Sequence, residues 1–403
     1  MKIAFIHPSW PGSEGTGATH SATKTVTELR DRGHELTVYC PVHPPIQNDD
    51  IEDIELRTLE SSWLPQGNLR LNRAIKKQIH EFDSFDIVHS YLMTAIPAME
   101  AIGKQHDVAT VVTLNAYGGV CPKNDLLYRG IENCTNKSPA KCSHCILTTS
   151  LGRNEGRLRR AASLFANDYL VRKGERNIDK IDAFRAPSGH VKENYITFGF
   201  PERKLHVIPH MLDEQFSIPH ESDFQSPYQL LYVGALENHK GVDRLVPTLK
   251  ALRENEQASY ELTVVGDGSM RAELKREVES EELDDVVTIR GFVPNGELPT
   301  VYANHDIFLY PGRWDEPLAR VYLEALATGT PIVSTEYGTI KSVIGSGGTT
   351  AEGSPEDLAR TVEELVDSGL KEYSRGAHDR AERYRAKNVI GEIEGLYQSL
   401  LRG

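Results

Sequence analysis

Glu316 and Glu324 stand in the stretch IFLYPGRWDEPLARVYLEALATGTPIVST (307–335), which reads as strand, loop, helix, glycine stop and strand. Pro317 suits a first helical turn and Gly329 a helix end. Leu318, Ala319 and Arg320 are therefore expected as the opening turn. Backbone N–H groups and the positive end of the helix dipole at such a turn attract a pyrophosphate. At the helical rise, the two carboxylates stand roughly 10 Å apart along the axis, too far to share a proton. They can instead grip two ends of one extended, hydroxyl-bearing ligand; the plain alternative is two surface glutamates on an amphipathic helix.

A second constellation is made of thiols. Four of the five cysteines, Cys121, Cys134, Cys142 and Cys145, fall in one stretch with the spacing C-x12-C-x7-C-x2-C. Four thiolates offer the closed tetrahedral shell that zinc favours, so a structural zinc is expected there. Disulfides and unligated or redox thiols are the alternatives. Cys40 ends an apolar run and reads as a packing residue. The pairs His206 with His210 and His7 with His20 lack the helix context of a metal motif.

The elements that must position these groups follow from hydrophobic patterning. With 403 residues, a hydrophobic share of 39% and a charged share of 26%, the chain can fill two packed cores. Apolar runs at 2–7, 36–40, 86–89, 110–114, 183–186 and 205–208 read as strands, with helical patterns at 20–32, 70–82 and 95–104. A loop with Gly12, Gly15 and Gly17 follows the first strand, and the cysteines lie in an insertion at 118–146. This alternation implies a parallel sheet covered on both faces. Residues 213–226 are polar, contain a proline and show no period, which marks a linker after a first domain of 1–212. A second alternating series fills 227–385, with strands at 230–234, 261–266, 286–290, 307–310 and 331–334. Residues 386–403 are helical in pattern and are expected to pack back on the first domain.

The formal net charge of −13 argues against a protein that coats nucleic acid. One basic cluster stands out locally: Arg153, Arg157, Arg159 and Arg160, followed by Arg172, Lys173 and Arg176. It is either a solvated helix face or a contact for anionic lipid headgroups or a phosphate-bearing acceptor. The apolar start is too short for a signal-peptide core, and no run approaches the ~18 to 20 apolar residues of a spanning helix. A cytoplasmic location is expected, with peripheral membrane contact as the further option.

The pair Glu316 and Glu324 resembles the E-x7-E motif of retaining glycosyltransferases with the GT-B fold, most closely family 4. Around it, LLYVGALENHKGVDRLV (230–246) is similar to the segment that opens the family's donor domain, and VVGDGSMRAEL (264–274) to its second strand and glycine turn. RGFVPNGELPTVYANHDIFLYP (290–311) is similar to its base-binding loop and third strand. The resemblance implies an α/β architecture of two Rossmann-like domains facing a central cleft. It also implies a hexosyltransferase that moves a sugar, with retention of configuration, from a nucleotide sugar to a glycan, lipid-linked or small-molecule acceptor. Assembly of a cell-surface glycan, with no catalytic cofactor, is the implied setting.

Residue by residue, the resemblance assigns Lys240 to the donor diphosphate, Glu316 to the sugar ring and Glu324 to the ribose hydroxyls. It places Gly291, Phe292 and Val293 at the base, and Gly234, Gly266, Leu318, Ala319 and Arg320 along the donor. Gly15 and Gly17 match the family's first glycine loop, where absent side chains admit the phosphates. Two positions depart from the pattern. Ala235 stands where the family usually has an arginine, and Arg320 is the expected substitute cation. Asn115, in TLNAYGG, stands where many relatives have a histidine; an amide cannot act as a general base but can hydrogen-bond a sugar hydroxyl. In front-face displacement the departing phosphate takes the acceptor proton, so positioning matters most. These departures keep open a catalytically silent sugar-nucleotide-binding partner of another transferase. A Rossmann dehydrogenase is disfavoured by the G-x-x-G-x-G order from Gly12 and by Cys40 and Pro41, where a ribose-binding acid is needed.

Overall fold

Short buried runs rich in Val, Ile, Leu and aromatic residues form the strands, and because both faces are covered they show little alternation. The computed structural model describes residues 1–10, 17–41, 53–59, 66–130, 132–151, 156–176, 178–254 and 258–402. The chain divides into two compact units, Met1–Pro209 with Ile390–Gly403, and His210–Val389.

In the first unit the strands are β1 (Lys2–Ile6), β2 (Glu35–Cys40), β3 (Ile54–Thr58), β4 (Ile87–Ser90), β5 (Ala109–Thr113), the hairpin β6 (Leu127–Tyr128) and β7 (Glu132–Asn133), β8 (Ala183–Ala186) and β9 (Leu205–Val207). The helices are α1 (Gly17–Asp31), α2 (Gly67–Lys77), α3 (Ile96–Gln105), α4 (Pro139–Leu151), α5 (Arg157–Glu175) and α6 (Gly189–Thr197). The main sheet is parallel throughout, in the order β3-β2-β1-β4-β5-β8-β9.

The second unit carries β10 (Tyr228–Val233), β11 (Tyr260–Val265), β12 (Val287–Gly291), β13 (Ile307–Tyr310), β14 (Ile332–Thr335) and β15 (Gly348–Ala351). Its helices are α7 (Leu245–Glu254), α8 (Arg271–Ser280), α9 (Leu298–Ala303), α10 (Arg320–Ala327), α11 (Ile340–Ile344), α12 (Pro355–Ser368) and α13 (Leu370–Ala381). This sheet is also parallel, in the order β12-β11-β10-β13-β14-β15. Both orders are doubly wound: the chain reverses direction of travel between β1 and β4, and again between β10 and β13. In such sheets ligands bind outside the carboxyl ends of the strands at that reversal.

The last helix, α14 (Ala386–Arg402), gives most of its length to the first unit. Ile390, Ile393 and Tyr397 are buried along it. The Tyr397 hydroxyl meets His89 Nδ1 at 2.5 Å, while His89 Nε2 meets Thr113 Oγ1 at 2.7 Å. Complete burial lowers the His89 pKa, so the imidazole is neutral and these two hydroxyls settle its hydrogen bonds.

Three strand segments lie outside the expected set, namely β3, β15 and the β6–β7 hairpin, and each has its reason. β15 is GTTA and the hairpin strands LY and EN, none with an apolar run to betray it. β3, IELRT, is half exposed. The 213–226 segment, expected as a linker, packs on the second unit. Phe216 is fully buried against the Tyr302 ring, and the Glu221 and Ser222 N–H groups both donate to the Ala303 carbonyl. Among the described residues, no helix is long and apolar enough to cross a membrane.

Candidate functional site

The reversal between β10 and β13 gathers three loops of the second unit. Gly234 follows β10 and donates its N–H to the Val265 carbonyl at 3.0 Å; Gly266 follows β11 and donates to the Gly291 carbonyl at 2.8 Å. A side chain on Gly266, at φ +134°, would put its Cβ 1.9 Å from the Gly234 carbonyl oxygen. Gly266 therefore lets the strand ends approach as no other residue could. Lys240 closes a short turn after β10, and the next residue, Gly241, sits at φ +75° with room for no Cβ, since one would fall 1.8 Å from the Pro311 carbonyl oxygen. The Lys240 turn is thereby pressed against the loop that leaves β13.

On that loop stands Glu316. Its carboxylate forms an ion pair with the Lys240 ammonium and accepts a hydrogen bond from the Tyr310 hydroxyl at 3.1 Å. Lys240 also lies 5.5 Å from the centre of the Trp314 ring and 5.8 Å from that of Tyr310, within cation–π range. Burial pulls the Lys240 pKa down to about 8. Gly338 holds the loop from behind: its N–H donates to Asp315 Oδ1 at 2.9 Å, and a Cβ there would meet both Glu316 N and Glu316 O at 2.9 Å.

Helix α10 begins at Arg320, later than Pro317 suggests, because Leu318 is drawn into the core and the chain stays extended through Ala319. Ala319 is the N-cap and supplies no side-chain cap. Glu324, 5% exposed, accepts from the Tyr302 hydroxyl at 3.1 Å. Arg320, expected as a diphosphate cation, faces two carboxylates instead: Asp213 at 2.5 Å and Glu324 at 3.8 Å. Its charge in this structure balances acids on its own unit. The partners described for Glu316, Lys240 and Tyr310, thus differ from those described for Glu324, Tyr302 and Arg320. Phe292 is 61% exposed just past β12, whereas Val293 is buried.

In the first unit, Gly17 opens α1 and Gly15 lies outside the described residues, as does Arg153. Asn115 follows β5 and lines a cavity of about 440 Å³ together with Asn68, Thr94, Asn124 and Asn167. Asn115 Oδ1 is shielded from solvent with no hydrogen-bond partner. Around it the amides are interlocked: Asn167 Oδ1 accepts from Gln66 Nε2 at 2.8 Å and from Asn68 Nδ2 at 2.9 Å. Lys123, a member of the lining whose side chain is buried, is held by Asp125 at 3.2 Å, which leaves the polar lining nearly neutral.

Cys121, Cys134, Cys142 and Cys145 line one small cavity of about 30 Å³, and all are free thiols. Among the described residues, no three His, Cys, Asp or Glu side chains gather as a metal ion would need. The expected structural zinc therefore finds no support here. The donors turn elsewhere: Cys134 Sγ to the Asn136 carbonyl at 3.1 Å, and Cys145 Sγ as acceptor of the Arg129 N–H at 3.2 Å. Burial pushes the Cys121 and Cys142 thiols up, against thiolate formation.

Sequence reasoning missed Tyr302, Tyr310, Trp314 and Asp213. Tyr310 carried a signal, since it ends a strand at the carboxyl edge; Asp213 carried none, being part of a stretch without period.

The family model for glycosyltransferase family 4 matches residues 15–216, half of the chain, and that for glycosyl transferases group 1 matches residues 214–384. The amylovoran biosynthesis glycosyltransferase AmsK of Erwinia amylovora is 29% identical over 173 residues, 41% of this chain and 42% of that protein. The 2-deoxystreptamine glucosyltransferase of Streptomyces kanamyceticus is 28% identical over 196 residues, 47% of this chain and 49% of its own. The chain thus spans about half the length of the curated relatives it matches. The Anabaena protein HepE, solved in complex with UDP, superposes with a TM-score of 0.69 at 18% identity, over 99% of this chain and 100% of its own. Sheet order and family models agree, and the chain belongs to glycosyltransferase family 4, built on the two parallel-sheet domains of the GT-B fold.

Proposed function

We propose that this protein transfers a hexosyl group from a nucleoside diphosphate sugar to an acceptor hydroxyl with retention of configuration, and that the second unit binds the donor. The observation that carries this reading is the cluster of Lys240, Glu316 and Tyr310 at the strand reversal of the second sheet. Lys240 neutralises charge that builds on the departing diphosphate, while Glu316 accepts from sugar hydroxyls. A diphosphate competes with Glu316 for the ammonium, so donor binding and the ion pair are linked. Glu324 takes the ribose hydroxyls, the uncapped start of α10 faces the diphosphate, and Gly291, Phe292 and Val293 border the base. In the first unit, Asn115 orients a hydroxyl beside the neutral, amide-lined cavity, which suits an uncharged glycan or the sugar of a lipid-linked acceptor. A cytoplasmic setting and a role in cell-surface glycan assembly accompany this reading.

Because HepE was solved with UDP, UDP-hexoses head the donor panel. Thermal shift with UDP, GDP and ADP sugars on the wild type, K240A and E324A tests the proposal. Stabilisation by one base class, weakened in both variants, supports it. No stabilisation by any donor would refute the donor site; stabilisation without transfer would leave the silent sugar-nucleotide-binding partner, the reading that Ala235 and Asn115 keep open. Retention is then read from the anomeric configuration of the product.

A further inference from the structure

Helix α5 is inverted relative to an ordinary surface helix. Leu158, Ala162, Phe165 and Tyr169 follow one another at i, i+4, i+7 and i+11, the spacing of a single helical face. That face points to solvent. Leu158 is 89% exposed, Tyr169 55% and Phe165 37%, and Leu147 on the adjoining α4 is 49% exposed. Four of the seven most exposed large apolar side chains among the described residues thus lie on this one pair of helices. The opposite face of α5 is occupied by packing: Leu170, Val171 and Gly174 are buried, and a Cβ on Gly174 would stand 2.9 Å from Ile96.

The charges around the stripe have one sign. Arg157, Arg159 and Arg176 are exposed beside it, in a chain whose net charge is −13. The two acids of the helix are both taken up: Asp168 is bonded to Arg172 at 2.7 Å, and Glu175 pairs with Lys137. Lys173, for its part, lies 5.7 Å from the centre of the Tyr169 ring. An exposed apolar stripe flanked by arginines is the form of a helix that lies in a headgroup layer, with its apolar side chains in the acyl boundary and its cations on lipid phosphates.

We propose that α5 docks the protein on an anionic lipid surface. The inner face of the same helix, through Leu164, Asn167, Leu170 and Val171, lines the cavity beside Asn115. Docking through the outer face leaves that cavity behind the helix, about one helix diameter (~10 Å) from the headgroup layer, within reach of the sugar of a lipid-borne acceptor. This second step rests on the transferase reading; the docking does not.

Co-sedimentation of the full chain with vesicles of phosphatidylcholine, with and without phosphatidylglycerol, separates the two. The wild type pellets with the anionic vesicles, and added salt releases it. L158E/F165E/Y169E, whose positions are on the surface, lowers the affinity at least about tenfold, as does R159S/R176S, while circular dichroism stays unchanged. Equal pelleting of wild type and both variants, or equal pelleting with neutral vesicles, overturns the proposal. So does a soluble dimer that the triple variant dissociates while no vesicle is bound, which would make the stripe a self-association face. Vesicle binding that survives alongside absent donor binding would sink the transferase reading and leave the docking intact.

Discussion

Replacing Lys240 with methionine keeps the length of the side chain and removes its charge, which isolates the ion pair at the candidate donor site. The side chains of Lys240 and Glu316 are 18% and 11% exposed, so the pair is mostly withdrawn from water. Breaking a buried pair by removing one partner costs about 3 to 5 kcal/mol, because the remaining charge has lost its counter-ion. Here the Tyr310 hydroxyl still donates to Glu316, so the stranded carboxylate keeps one hydrogen bond and the low end of that range applies. The expected destabilisation of K240M is therefore about 3 kcal/mol. Adding E316Q removes the stranded carboxylate, leaves an amide that can still accept from Tyr310, and recovers about 2 kcal/mol of it.

Urea unfolding of the wild type, both single variants and the double variant reads this directly, with tryptophan emission reporting on the second unit through Trp314, which lies beside Lys240. Additivity of the two substitutions within about 0.5 kcal/mol would refute the reasoning, since uncoupled charges cannot be the pair described. The same variant weakens donor binding, because one charge-assisted contact to phosphate is worth about 1.5 to 3 kcal/mol, or roughly tenfold to a hundredfold in Kd. K240M/E316Q recovers stability without recovering affinity, which distinguishes a structural lysine from a phosphate-binding one.

Burial holds the Lys240 pKa near about 8, so its ammonium is present below that pH and lost as pH rises through it. Donor affinity measured by calorimetry therefore declines above pH 8, by at most about tenfold per unit, and K240R, whose guanidinium stays charged, flattens the profile. Arg320→Ala leaves Asp213 and Glu324, 8% and 5% exposed, without their shared cation, and lowers stability by about 3 kcal/mol in the same urea assay. An R320A variant of unchanged stability but lower donor affinity would return Arg320 to the diphosphate. Gly338→Ala forces a Cβ against the Glu316 backbone at φ +62° and lowers both stability, by about 1 to 3 kcal/mol, and donor affinity; Gly296→Ala, with open space around it, changes neither. Chelation by EDTA leaves the melting temperature unchanged, since among the described residues no three His, Cys, Asp or Glu side chains gather as a metal ion would need.

What the sequence made legible and what it hid divide along a physical line. Parallel strands buried on both faces announce themselves as apolar runs, so the strands at the centre of both sheets were readable, and with them the strand reversal that locates the site. β15, with GTTA, and β3, with IELRT, gain their strand state from a neighbour's backbone rather than from their own side chains, and no local pattern records that. Glu316, Glu324 and Lys240 were readable because spacing and motif order survive in one dimension. The partners of those residues were not. Arg320 looked available for a ligand because its charge is evident in the sequence, while Asp213, which meets it across 107 positions, is not marked as its neighbour by anything local. The cysteines teach the converse: C-x2-C spacing places two thiols near one another along a helix, but a metal shell also needs the sulfurs of Cys121 and Cys134 to converge with them, and lining the same cavity is not enough. Cys134 bonds instead to a backbone carbonyl two residues on, a local choice that outcompetes the long-range one. Spacing specifies which groups can meet; which of them do is decided by the charges and backbone polar groups that the fold brings within reach, and at this site those are Asp213, Tyr302 and Tyr310.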